Sequence, residues 1–139
     1  MTPYPSFDSI RGGEVLPPLT IALTASHVVA GAIASGDFEV VHHDPQAARQ
    51  RGMPDIFLNI LTTNGYVQRF VTAWAGPASR IRSVELRLGV PCFAGDTLEL
   101  RGSVRSKQQQ GAERLLEVEV RGANSSGEHV SATLRVVLP

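Results

Sequence analysis

Residues 56–75 read Ile56-Phe57-Leu58-Asn59-Ile60-Leu61-Thr62-Thr63-Asn64-Gly65-Tyr66-Val67-Gln68-Arg69-Phe70-Val71-Thr72-Ala73-Trp74-Ala75. Ile56, Ile60, Val67, Val71 and Trp74 recur at helical spacing and form an apolar stripe. The spacing predicts one long helix over 56–75, started at Pro54-Asp55 and stopped by Gly76-Pro77. Phe57, Leu58, Leu61 and Phe70 lie off that stripe, so the helix is apolar over most of its girth and is expected to be buried on most sides. The C-terminal half of the chain supplies the burying surface. From Arg80 onward the chain alternates apolar and polar residues with period two. The apolar sets are Val84, Leu86, Leu88 and Val90; Leu98, Leu100 and Val104; Leu116, Val118 and Val120; and Val130, Ala132, Leu134, Val136 and Leu138. They predict strands with one apolar and one polar face. Turn residues stand at Ala94-Gly95-Asp96, Gln110-Gly111 and Ser126-Gly127, and these short links favour antiparallel pairing of successive strands.

Upstream of the helix, Leu19 to Thr24 alternates like a strand, and His27 to Ser35 is a short apolar stretch of helical type closed by Gly36. Gly36 to Asp44 is polar and reads as a loop. Asp44-Pro45 places a cap and a first-position proline at the start of a helical turn that Gly52 ends. Residues 1–18, with Pro3, Pro5, Gly12, Gly13, Pro17 and Pro18, form an irregular lead-in to a single domain over 19–139. One curved antiparallel sheet wrapped around one long helix satisfies this order, which is the α+β hot-dog architecture. A single copy leaves a sheet edge and part of the helix uncovered, so dimerisation is expected.

The bulk properties agree with one soluble domain. The chain has 139 residues, with 13 Lys+Arg against 13 Asp+Glu, a balance that argues against a nucleic-acid binder. One cysteine, Cys92, excludes an internal disulfide and suits a reducing compartment. The first 18 residues carry no apolar run of secretory type, and no stretch approaches the ~20 apolar residues of a membrane span. A cytoplasmic protein with no membrane association is expected.

The densest functional stretch is Asp37-Phe38-Glu39-Val40-Val41-His42-His43-Asp44. A carboxylate and an imidazole can hold one water between them and share its protons, since imidazole as a group titrates near neutral pH. Spacing alone leaves two readings open: a water-activating pair at Asp37 and His42, or a solvated loop in which Asp44 caps the next helix. A metal site at His42-His43-Asp44 is not expected, because adjacent histidines rarely chelate one ion together. Asn59, Thr62, Thr63 and Asn64 interrupt the apolar helix. Either they bond back to helix carbonyls, or the helix start aims backbone N–H groups at a developing anion. Arg80, Arg82, Arg87, Arg101 and Arg105 lie on polar strand faces, mostly as solvated partners of Glu. Cys92 is read as structural, and glycine-rich phosphate loops are absent.

The loop Ser35-Gly36-Asp37-Phe38-Glu39-Val40-Val41-His42-His43-Asp44-Pro45 resembles the signature of the MaoC-like (R)-specific enoyl-CoA hydratases, the hydratase 2 family. It keeps Gly36, Asp37, His42, Asp44 and Pro45 and departs at Glu39 and Val40, where that family carries Asn-Pro. Asp55 to Thr62, Val67 to Pro77, Leu86 to Pro91 and Gly95-Asp96-Thr97 resemble the small, single-hot-dog subunit of bacterial steroid side-chain enoyl-CoA hydratases, as does the doublet His42-His43. The resemblance covers residues 20 to 138. It implies an enoyl-CoA hydratase that needs no cofactor and no metal. Asp37 and His42 would hold the catalytic water, which adds across a trans-2-enoyl thioester to give a (3R)-hydroxyacyl-CoA. A backbone N–H at Asn59, where the family has Gly, would polarise the thioester carbonyl, with Gly36, Phe38 and Thr62 completing the expected substrate-binding set. Val67 falls near the position of a family Ser that supports the carboxylate. The implied partner is a second hot-dog subunit with room for a bulky ring system. The alternatives are a homodimer acting on linear or branched acyl-CoA, a thioesterase on the same fold, or a non-catalytic acyl-binding subunit.

Overall fold

The period-two segments all become strands. In the computed structural model, which describes residues 3–139, the chain runs β1 (Leu19–Ala22), α1 (Ala25–Ala34), a one-turn 3-10 helix (Val40–His42), α2 (Pro45–Gln50), α3 (Ile60–Ala75), β2 (Arg80–Leu88), β3 (Thr97–Gln110), β4 (Glu113–Asn124) and β5 (Gly127–Leu138). The strands form one antiparallel sheet in the order β1-β3-β4-β5-β2. Its inner face presents Leu98, Leu100, Val104, Leu116, Val118, Val120, Val130, Leu134 and Val136, all buried. Against them lies the face of α3 that carries Val67, Phe70, Val71 and Ala75. This is the expected hot-dog arrangement of curved sheet and long helix.

The lead-in is irregular but not peripheral. Phe7, Ile10 and Leu16 enter the core, and Val15 makes a bridge to Ser103 of β3. The first two residues of that lead-in lie outside the described residues.

Three expectations are corrected. The long helix starts at Ile60, not at 56, because the side chain of Asn59 accepts Thr62 N–H and caps it. Ile56, Phe57 and Leu58 instead run extended beside Cys92–Ala94, with Leu58 N–H donating to Cys92 O at 2.9 Å and Ala94 N–H to Ile56 O at 3.1 Å. Apolar spacing cannot separate these two fates, because the pairing partner is far away along the chain.

The helix is also buried on one side only. Ile60 and Leu61, on its first turn, are each 50% exposed. Finally, the Ala94-Gly95-Asp96 turn does not join paired strands. β2 pairs with β5 and β3 with β1 and β4, so residues 89–96 cross the end of the sheet. Asn124, at the tip of the β4–β5 hairpin, fastens this crossover by donating to Pro91 O at 2.9 Å and Asp96 Oδ2 at 3.2 Å. Cys92 is buried within the crossover, and burial pushes its thiol up to about 11.

Candidate active site

The end of α1 delivers the carboxylate. Gly36 takes φ +71°, a left-handed conformation that suits a residue without Cβ. The N–H groups of Gly36 and Asp37 then turn back to Ile33 O and Ala32 O at 3.1 and 2.9 Å, closing the helix. Asp37 projects from this closure. Its Oδ1 accepts Glu39 N–H at 3.2 Å and its Oδ2 accepts Asn59 Nδ2–H at 3.1 Å. The Glu39 N–H, then the Asn59 amide, and least of all His42 hold its carboxyl below the usual aspartate value, against the opposing effect of burial.

The one-turn helix delivers the imidazole. His42 is 8% exposed. Its Nδ1 lies 2.7 Å from Phe57 O, and its ring meets the Phe57 ring edge-on at 4.8 Å between centroids. A carbonyl oxygen only accepts, so Nδ1 carries a proton, and a ring with that single proton presents a bare Nε2. That Nε2 stands 3.5 Å from Asp37 Oδ2. Two acceptors therefore stand side by side with no hydrogen bond between them, and a water seated against both, about 2.8 Å from each, can donate to both.

The loop separates its remaining polar groups from this pair. Asp44 caps α2 by accepting from Gln46 N–H and Ala47 N–H, as the solvated-loop reading has it. His43 Nε2 contacts Phe38 O at 3.2 Å on the surface. The carboxylate of Glu39 turns to Arg51 at 3.0 Å and away from Asp37. Phe38 is 70% exposed beside the pair.

The start of α3 closes the third side. Asn59 is 2% exposed. Among the described residues, no protein group accepts from its backbone N–H, which lies at the positive end of the helix dipole. Thr62 gives its hydroxyl to Asn59 Oδ1 and lines an apolar groove of about 510 Å3 between α1 and α3, with Ala30, Gly31, Leu61 and Tyr66. The structure thus gathers Gly36, Asp37, Phe38, His42, Asn59 and Thr62 in one region. Sequence reasoning missed Phe57 O as the anchor of His42 and Ser35 as a partner of Asn59. An Asn in a first-turn capping position was the one available signal.

Residues 6–125 match the family described as the MaoC like domain. The chain belongs to the MaoC-like domain family. It is 45% identical over 124 residues, covering 89% of this chain and 93% of the relative, to the 3-oxo-4,17-pregnadiene-20-carboxyl-CoA hydratase beta subunit of Mycobacterium tuberculosis. The crystal structure of the ChsH1-ChsH2 complex from the same organism matches with a TM-score of 0.87 and 44% identity, covering 93% of this chain and 98% of that one. The unliganded R-hydratase PhaJ1 from Pseudomonas aeruginosa matches with a TM-score of 0.84 over 96% of this chain and 84% of that chain. At 19% identity, that likeness speaks for the fold alone. The MaoC-like family, the hot-dog fold and the enzyme class, an enoyl-CoA hydratase, are as the sequence led us to expect. Among the described residues, no helix is long and apolar enough to cross a membrane.

Proposed function

We propose that this chain is the catalytic-loop subunit of a cytoplasmic hydratase that adds water to the trans-2-enoyl-CoA thioester of a bulky, steroid-type side chain. The observation that carries the reading is the 3.5 Å gap between Asp37 Oδ2 and His42 Nε2, with Nδ1 of the same ring committed to Phe57 O. A water donating one hydrogen to each acceptor keeps its oxygen lone pairs free for C3 of the substrate. As the C3–O bond forms, one water proton passes to the pair and a proton is returned to C2, so that H and OH are added across the double bond. Charge develops on the thioester oxygen meanwhile. The backbone N–H of Asn59, at the α3 start, is placed to receive it. Gly36 and Phe38 border the approach, and Thr62 with the α1–α3 groove forms this chain's wall of the acyl pocket. A (3R) product is the stereochemistry the family resemblance implies.

The steroid reading draws its support from the 45% identity to a pregnadiene-carboxyl-CoA hydratase subunit. The need for a second hot-dog subunit is supported by the exposed apolar groups Ile33, Phe38, Ile60 and Leu61 around the site, which a monomer would leave in water. The test monitors loss of the conjugated enoyl-thioester absorbance, with the chain alone and co-expressed with a candidate hot-dog partner. A steroid side-chain enoyl-CoA is compared with a short linear one. Turnover of the steroid thioester only with the partner is expected. Turnover of the short substrate by the chain alone would replace this reading with a homodimeric hydratase of linear acyl-CoA.

A further inference from the structure

Asn59 spends every hydrogen bond its side chain can make. Its Oδ1 accepts Thr62 N–H at 3.1 Å and the Thr62 hydroxyl. Its Nδ2 donates to Ser35 Oγ at 2.8 Å and to Asp37 Oδ2 at 3.1 Å. An amide has two acceptor sites and two donor hydrogens, so the inventory is complete. The orientation is not arbitrary either. Thr62 N–H can only donate, which fixes Oδ1 toward the helix and Nδ2 toward the carboxylate. Ser35 gives its own proton to Gly31 O at 2.7 Å, leaving its oxygen to accept from Asn59. α1 comes close enough because Gly31 lacks a side chain: a Cβ there would stand 2.3 Å from Thr62 Oγ1.

From this network we infer that the Asn59 side chain is a positioning residue, which caps α3 and, with the same amide, orients Asp37 Oδ2 toward His42 in its ionised form. The inference rests on reading Asp37 and His42 as the water-activating pair. It assigns Asn59 a side-chain role separate from its backbone N–H. The groups that face Asp37 are few. His42 approaches from the one-turn helix, the Glu39 N–H from the loop, and Asn59 from α3; the Glu39 carboxylate is paired with Arg51 and points away. The amide is thus the contact from α3, and exchanging it for a carboxylate would place a second negative group against Asp37.

The variant Asn59→Asp does this while keeping the fold, because Asp caps helices as well as Asn does. The Asp37 carboxyl carbon is monitored by NMR titration of the full-length chain, wild type and variant. In the wild type, Asp37 should titrate below an ordinary aspartate. In Asn59→Asp its midpoint should rise by about one pH unit or more, as for carboxylates forced to share a site. The acid limb of kcat/KM should move up with it. A second variant, Asn59→Ser, keeps a capping oxygen and removes the amide. It should lower kcat by about tenfold or more with KM little changed, as expected when a general acid–base group loses its alignment. An unmoved Asp37 midpoint in Asn59→Asp, or full kcat in Asn59→Ser, would overturn the assignment. The titration needs no substrate. A chain that shows the midpoint shift but hydrates no enoyl thioester even when co-expressed with its hot-dog partner would therefore refute the proposed function and leave the hold of Asn59 on Asp37 standing.

Discussion

Two histidines in this fold begin from the same arrangement and end differently. His42 Nδ1 lies 2.7 Å from Phe57 O, and His129 Nδ1 lies 2.7 Å from Val90 O. Both rings are nearly enclosed, at 8% and 2% exposure. Each is therefore held in one tautomer by a backbone carbonyl, with Nε2 left as the acceptor. At His129 that Nε2 is met by Thr63 Oγ1 at 2.8 Å, and both residues are buried. At His42 it faces the Asp37 carboxylate 3.5 Å away, and that carboxylate is 26% exposed, so the pair is open to solvent on the Asp37 side. Neither burial nor the tautomer separates the two rings. The difference is a single unmet acceptor opposite a second one.

The largest effect should come from breaking the open pair. Asp37→Asn and His42→Ala should each lower hydration turnover by roughly two or more decades, the typical loss when a general acid–base group is removed. The melting temperature of Asp37→Asn should stay close to that of the wild type, since Asp37 lies at a loop edge, whereas His42→Ala strands Phe57 O and should melt lower, so its turnover is taken per folded molecule. Steady-state rates by enoyl-thioester absorbance and thermal melts on the same samples check both halves. Near-full activity in either variant would remove the pair from the mechanism.

The closed pair should respond in the opposite sense. His129→Ala strands Thr63 Oγ1 and Val90 O and leaves a cavity beneath the crossover, so it should cost about 3 kcal/mol of stability in urea unfolding. Turnover per folded molecule should fall far less than in His42→Ala. A decade-scale loss of turnover with unchanged stability would mean that the two histidines are not divided as described.

This division also marks how much of the molecule is legible in its sequence. The period-two sets of β3, β4 and β5 announce themselves because one face of each strand meets α3 and the other meets water. Spacing within one loop leaves Asp37 and His42 as one of two readings, and only the loop's resemblance to the hydratase 2 signature singles the pair out. The groups that orient the pair are not legible at all, because they arrive from elsewhere in the chain. Phe57 O reaches His42 only because Ile56–Leu58 runs beside Cys92–Ala94, a contact that no local pattern encodes. The same segment continues the apolar rhythm of the helix, which is why spacing alone starts the helix at Ile56 when it begins at Ile60. Likewise, the crossover at 89–96 has the length and turn residues of a hairpin, and only the pairing of β2 with β5 distinguishes the two. His129 interrupts an alternating strand without any mark that its partner is Thr63.

The smallest predicted effect takes the closed pair into acid. Burial of the His129 ring pushes its pKa below the ordinary histidine value, while the Val90 carbonyl and, more weakly, Asp96 pull the other way. In the unfolded chain this imidazole takes up its proton as pH falls below about 6.5. In the folded chain it does so only at lower pH. Between those points the unfolded state binds more protons, so stability is lost as pH falls. Asp37, whose pKa is also depressed, acts in the same direction, but only below the ordinary aspartate range. Between about pH 7.5 and 5.5 the His129 contribution is thus separable from that of Asp37. The urea midpoint of the wild type should drop over that interval, and His129→Asn, though less stable at the upper end of it, should show a shallower drop. Equal slopes would mean that the ring can be charged in place at little cost. The Thr63 hydroxyl can rotate to accept from a protonated Nε2, so any penalty that is measured reports the missing solvent and counter-charge around His129. At His42, by contrast, the Asp37 carboxylate stands 3.5 Å from Nε2.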